Sequence, residues 1–220
     1  MTLDQCFAGV TSLCALLQRD ATGLLVSMTT PYLNISSRKT SGLDFEASYR
    51  TEIAGGSLGI RGLATYIHRL TLVSPGAPPI QLAGQLGTQT GGSQPGLGVP
   101  HWVASLSANY KTGGGTGIYV QERFIGAGAL DKTLSATALA PEENHVNHVF
   151  YTDLTLTQEI HTGLSTRPTE IFLTVNNLLD KDPPLAPSPF FVFGVANGGT
   201  NPALYDVIGR QFVAGARVRF

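Results

Sequence analysis

Apolar and polar residues alternate along most of this chain, with a period of two. In the segment 40–50, Leu43, Phe45, Ala47 and Tyr49 fall on one side, and Asp44, Glu46, Ser48 and Arg50 on the other. Successive side chains of a β-strand point to opposite faces, so this is a strand with one oily face and one wet face. Segment 57–70 repeats the pattern, with Leu58, Ile60, Ala64 and Tyr66 against Arg61, Thr65 and Arg69. In 101–111, Trp102, Ala104, Leu106, Ala108 and Tyr110 oppose Ser105, Ser107, Asn109 and Lys111. The chain ends the same way: Phe212, Ala214, Ala216, Val218 and Phe220 share a face opposite Gln211, Val213, Gly215, Arg217 and Arg219. Segments 24–36, 116–126, 147–160 and 169–179 also read as extended, the first interrupted at Pro31, where a bulge or edge position is expected. The pattern predicts about eight strands, each roughly ten residues long.

Their connections come in two sizes. Ala54-Gly-Gly-Ser57, Thr112-Gly-Gly-Gly115 and His161–Pro168 are short turns, whereas 72–99, 127–146 and 180–206 are long and rich in Gly and Pro. Soluble sandwiches favour strands of about five or six residues. Strands of about 9–11 residues, with short turns at one end and long loops at the other, describe a transmembrane β-barrel. Tyr49, Tyr66, Trp102, Tyr110 and Phe220 near strand ends suit interfacial girdles. The expected fold is therefore all-β: an antiparallel transmembrane barrel segment over 24–220, a partial barrel. An outer loop over 1–23 precedes it, with a short helix around 4–18. A soluble β-sandwich with one solvated face is the alternative from patterning alone.

Composition narrows the choice. Only 13% of residues are charged, about half the usual share, and dispersed oily residues are what a barrel needs. A formal net charge of −1 gives no basic footprint, so no nucleic-acid partner is expected. Apolar runs fall short of the roughly 18 residues of a membrane helix. Met1-Thr-Leu-Asp4 lacks the basic start of a secretory signal, so the expectation is either an intracellular chain or a native start lying upstream. Cys6 and Cys14 would lie about 12 Å apart on one helix, too far to bridge. A turn near Gly9 to Ser12 would permit a disulfide, which implies an oxidising compartment; two free thiols are the other possibility.

Enzymatic signatures are weak. Glu142-Glu-Asn-His-Val-Asn-His148 offers acids and two histidines, but at a loop-to-strand junction where i and i+3 diverge. Thr112-Gly-Gly-Gly-Thr-Gly117 lacks the Lys and helix of a phosphate loop. No nucleophile elbow occurs. The chain is not expected to be an enzyme, nor to hold a cofactor or metal.

Thr174-Val-Asn-Asn-Leu-Leu-Asp-Lys-Asp-Pro-Pro184, followed by Asn201-Pro-Ala-Leu-Tyr-Asp-Val-Ile-Gly-Arg210 and the terminal strand, resembles the C-terminus of TonB-dependent outer-membrane receptors. Asn177, Leu178, Asp180, Lys181, Tyr205, Asp206, Gly209, Arg210 and Phe220 match, while Leu179 stands where Phe is usual. Leu33–Arg50 resembles a strand pair of that family, and Cys14–Gly23 its Cys-bearing outer loop. The resemblance implies residence in the outer membrane of a Gram-negative bacterium, in contact with its lipid, and energy-coupled uptake of a siderophore or other scarce nutrient. It implies that Phe212, Val218 and Phe220 carry a signal for the barrel-assembly machinery. The family also has a plug domain, a TonB-contacting box and 22 strands, and neither plug nor box is found in this sequence. The expected role is thus a C-terminal fragment, not transport-competent alone, partnered by further barrel strands and a plug; TonB would be reached only through an N-terminal part. The alternative is an independent eight-stranded barrel with a structural role.

Physics limits both readings. Each unpaired backbone group in hydrocarbon costs several kcal/mol, so two open edges cost on the order of 30 kcal/mol, beyond a typical stability of about 5–15 kcal/mol. Self-closure would crowd Arg50, Arg61, Arg69, Arg123, Arg217 and Arg219 into a narrow interior. By position the long loops are the ligand-contact candidates, above all Phe190, Phe191, Phe193 and Tyr205, whose rings suit anchoring.

Overall fold

The computed structural model of the chain describes residues 2–29, 37–73, 78–87, 89–90, 94–95, 99–133, 137, 140–161, 168–186, 191–192, 195–196 and 199–218. Within them the architecture is all-β and antiparallel. Seven long strands form one sheet: β1 Ser37–Ile53, β2 Gly56–Val73, β3 Trp102–Thr112, β4 Thr116–Ile125, β5 Val149–Ile160, β6 Thr169–Asn176 and β7 Gln211–Arg217. They lie in chain order, each paired with its sequence neighbours. Long connections sit at the end of the sheet where β2, β4 and β6 finish, and short ones at the other.

Local chemistry explains the turns. Ile53 pairs with Gly56, which leaves a two-residue connection in which Ala54 (φ 51°) and Gly55 (φ 72°) are both left-handed. That backbone follows the twist of paired strands. Gly113–Gly115 joins β3 to β4, with Gly115 at φ 82° supplying the left-handed residue of a three-residue hairpin.

The described part of the strand expected at 24–36, residues 24–29, does not join this sheet. Leu25–Met28 instead pairs with Leu17–Arg19, and residues 30–36 lie outside the described ones. The cause is Asp20, whose Oδ1 accepts the backbone N–H groups of Thr22 (2.9 Å) and Leu24 (3.0 Å) and the Thr22 hydroxyl (2.6 Å). These bonds, the hydroxyl's foremost, hold its carboxyl below the usual carboxylate range and close a local hairpin before residue 25 can reach the main sheet. Among the described residues the long strands therefore number seven. The single helix expected around 4–18 is two short ones, Thr2–Phe7 and Thr11–Cys14. The chain bends between them at Gly9 (φ 97°), and Cys6 and Cys14 form a disulfide with their Cα atoms 4.9 Å apart.

The strand registers sort the side chains into two unlike faces. On one, called outer here, Phe45 is level with Ala64, Ala104, Phe124 and Phe150. Leu156, Leu173 and Ala214 continue this face through β5, β6 and β7. Phe45, Leu106 and Phe212 are 51%, 57% and 67% exposed. Near the loop end, rings gather: Tyr66 and Trp102 lie 4.8 Å apart, Phe124 and Phe150 4.8 Å, and Phe45 and Trp102 6.3 Å. Tyr110 sits near the turn end, and its hydroxyl donates to the turn carbonyls of Ile53 and Ala54. Among the described strand residues of this face below the aromatic rows, Glu122 alone carries a charge; it accepts the Thr152 hydroxyl at 2.7 Å.

The inner face is ionic. Arg61 pairs with Glu46 (2.8 Å), Lys111 with Glu159 (2.7 Å), Arg123 with Asp153 (2.7 Å) and Arg217 with Glu170 (2.6 Å). Arg69 departs from the expected alternation. Ser41 pairs with Arg69 and Gly42 with Ile67, so His68 is an extra residue on β2. Such a bulge inverts the phase beyond it. Leu70 and Leu72 consequently turn inward onto the loop residues Ile80, Leu82 and Ala83, and Arg69 turns outward with Thr71.

Candidate functional site

The inner face divides into a capped end and an open one. At the loop end, Ile125, Val149 and Tyr151 point inward, and Leu86, Val146, Ala186 and Tyr205 from three long connections pack on them. The loops are tied to one another as well as to the sheet. Gly84 donates to Val99 O and Val99 to Gln85 O; Ala129 donates to Gly84 O and Leu86 to Ala129 O. Gly128 and Val146 exchange backbone hydrogen bonds. A Cβ on Gly128 would press into the Gly84 carbonyl and the Leu86 side chain, so this crossing requires glycine. Asn201, 1% exposed, donates from Nδ2 to Leu86 O at 2.9 Å, fastening the last loop to the first.

The segments that carry the family resemblance meet in the same place. Asn177 (φ 50°) and Asp180 (φ 53°) both take the left-handed conformation, which Asn and Asp tolerate best after Gly. Asn177 donates its N–H to Asp153 Oδ1 (2.9 Å) and clasps the Lys181 backbone through both side-chain atoms. Asp180 accepts Arg210 N at 3.0 Å and pairs with its guanidinium at 3.2 Å. Asp206 accepts the N–H groups of Ile208 and Gly209, and its own N–H donates to the Tyr151 hydroxyl at 3.3 Å. These residues form a clamp that turns the chain from β6 through the last loop into β7. Their work here is architectural.

Below the cap the inner wall carries two recesses. One, about 290 Å³, is lined by Leu63, Thr65, Val103, Ser105, Gln121 and Arg123 among others. The other, about 330 Å³, lies toward the turn end and includes Lys111, Tyr119, Thr155, Thr157, Glu159 and Glu170. The polar groups here are largely committed to one another. Arg123 grips Asp153 with both Nε (2.7 Å) and Nη2 (3.2 Å), and its guanidinium carbon lies 5.2 Å from the Tyr151 ring centre. Thr65 donates to Asp44 at 2.7 Å, and Thr155 and Thr174 share a hydrogen bond of 2.9 Å. A wall of this kind can contact a polar surface laid against it.

The sequence candidates are dispersed. Phe190 and Phe193 lie outside the described residues, as does the Phe191 side chain, whose backbone pairs with Ala196. Tyr205 is 4% exposed, part of the loop core rather than an open anchor. Its hydroxyl has no hydrogen-bond partner among the described residues, and burial pushes its pKa up to about 12. Phe212 stands exposed on the outer face and Val218 is 39% exposed; Phe220 lies outside the described residues. His148 packs on Phe124 and Phe150 while His145 is exposed in the loop. Among the described residues no group of three His, Cys, Asp or Glu side chains is placed to hold a metal ion. Sequence reading missed Tyr151 and Leu86, the centre of the cap. The available signal was Ile125, Val149 and Tyr151, apolar positions on an otherwise ionic phase.

A scan against protein-family models finds no match to this chain, and a search of curated proteins finds none either.

Proposed function

We propose that the chain forms the C-terminal wall of a TonB-dependent outer-membrane receptor, with its outer face toward lipid and its inner face toward a wet lumen. In this role it serves energy-coupled uptake of a siderophore or other scarce nutrient, as part of a complete barrel with a plug, not alone. The observation that carries the reading is the inequality of the two faces. Below the aromatic rows the described outer face is largely apolar, with Glu122 its one charge and Phe45, Leu106, Leu173 and Phe212 exposed, whereas among the described residues the inner face holds four ion pairs. A soluble sheet exposing Leu43, Phe45, Leu106 and Phe212 together would carry an apolar patch far larger than soluble monomers tolerate. Inward-folded loops and aromatic rings near both strand ends also suit a membrane wall. Among the described residues β1 and β7 each have one strand neighbour, so each offers an edge to further strands.

Trp102 is the only tryptophan and lies on the outer face, which gives a direct test. The full chain in detergent micelles doped with chain-brominated phosphatidylcholine should show strongly quenched Trp102 emission. Emission unchanged by brominated chains would overturn the lipid-facing assignment. An Arg61→Trp, Trp102→Phe variant, reporting from the inner face, should be quenched far less.

A further inference from the structure

Beyond the aromatic rows, the outer face changes character. Lys39 pairs across the sheet with Thr71, and Ser41 with Arg69. Lys39 and Arg69 are therefore diagonal neighbours on one face, a spacing of roughly 7–8 Å between backbones. Ser41 lies about 7 Å and Lys39 about 13 Å further along β1 than Leu43, at about 3.3 Å per residue. Leu43 is level with Tyr66, and Tyr66 with Trp102. Next to the cations, the His68 ring lies 6.2 Å from Tyr66 and the His101 ring 6.0 Å from it. Lys39, His68 and Arg69 are all exposed. The acids of β1 (Asp44, Glu46 and Glu52) fall on the inner face, and the described residues of β2 and β3 include none. Arg69 stands on this side only because of the bulge at His68, which breaks the ladder and turns a would-be lumen cation outward.

We infer that Lys39, Ser41 and Arg69 form a binding surface for the phosphate headgroup of an anionic membrane lipid at the loop end of the β1–β2 hairpin. This rests on the lipid-facing assignment above. An acyl chain laid on Leu43, Phe45 and the Tyr66–Trp102 rings brings its headgroup level with the two cations. Arg69 presents a fork matched to phosphate oxygens, Lys39 a mobile point charge, and the Ser41 hydroxyl a neutral donor. A phosphate monoester, with more negative charge than a diester, is the headgroup favoured most.

The test uses the full chain in maltoside micelles doped with brominated phosphatidylcholine or brominated phosphatidic acid, read through Trp102. Phosphatidic acid should reach half-quenching at an about thirtyfold lower mole fraction at low salt, from two cations each favouring an anionic surface. The Lys39→Gln, Arg69→Gln variant should bring the ratio near one, while Arg61→Gln on the inner face should leave it unchanged. Quenching by neither lipid overturns the lipid-facing assignment and this site with it. Equal quenching by both lipids, or a preference that survives in the double variant, overturns the site alone. Relief of the preference by inorganic phosphate shows that the site takes the free ion and overturns the headgroup assignment.

Discussion

The two ends of the inner face are made by the same strands and have opposite physics. At the loop end, Tyr151 and Leu86 are fully buried, and Val149 and Val146 nearly so, at 2% and 1% exposure. Toward the turn end of β5 and β6, Glu159 and Glu170 instead pair directly with Lys111 (2.7 Å) and Arg217 (2.6 Å) in partly exposed surroundings. Strand alternation cannot tell these ends apart, since it fixes which face a residue takes and not what covers that face. The cover comes from the long loops. They bury apolar groups, at about 25 cal/mol per Å², where the ion pairs further down gain about 0–1 kcal/mol each. The capped end should therefore dominate stability.

The sharpest way to break this contrast is at its centre. Tyr151→Ala should cost about 3–5 kcal/mol, since it empties the core and removes the acceptor of the Asp206 N–H. Denaturant unfolding in micelles, followed by Trp102 emission, measures it; a loss below 1 kcal/mol would mean that the cap is not a cooperative core. Asp153→Ala comes next, at about 1.5–3 kcal/mol, because it strands both the Arg123 guanidinium and the Asn177 N–H. Its loss should bring protease sensitivity to the loop 177–210, which the clamp holds.

Tyr205 gives a smaller and opposite effect. Its hydroxyl is buried without a partner among the described residues, so Tyr205→Phe should leave stability unchanged or raise it by about 1 kcal/mol. The same burial makes a pH prediction. The folded pKa is raised to about 12 from an ordinary value of 10, so the unfolded chain loses this proton first as pH rises. Stability from this group is intact below pH 10 and falls between about 10 and 12. The fall should be smaller in the phenylalanine variant. A spectrophotometric titration that shows no high-pH phenol missing in Tyr205→Phe would contradict the burial.

How much of this was legible in the sequence depends on the range of the interaction. Face assignment in β1, β3 and β7 follows from alternation of Phe45, Trp102, Phe212 and their neighbours, a local property. The Arg69 inversion was not legible, because a single extra residue, His68, resets the phase without any composition signal. The hairpin at 17–28 was not legible: residues 24–36 read as one extended segment, and the pairing of 25–28 with 17–19 depends on side-chain bonds of Asp20. Of the candidate site, the resemblance motifs around Asn177, Asp180 and Asp206 marked the right place for a structural reason, since they form the clamp. Tyr205 was misjudged because an aromatic in a glycine-rich loop looks the same whether it anchors a ligand or fills a core. Only the long-range approach of residues 86, 146 and 186 decides that.

The finest test of the contrast lies at its weak end. Arg61 and Glu46 side chains are 57% and 58% exposed, yet both Nε and Nη2 of Arg61 reach the same carboxylate oxygen, at 3.0 and 2.8 Å. If water fills this part of the inner face, the Coulomb gain is small, and a double-mutant cycle of Arg61→Ala and Glu46→Ala should give a coupling of about 0.2–1 kcal/mol. Raising salt from 0.1 to about 1 M shortens the screening length from about 10 to about 3 Å, so the coupling should fall toward zero. A pair held in a dry interior would behave otherwise, since removing one partner there costs about 3–5 kcal/mol and salt has little access. A salt-insensitive coupling above about 2 kcal/mol would therefore place the lower wall in the same low-dielectric setting as Tyr151, and the distinction between a dry capped end and a wet open one would be lost.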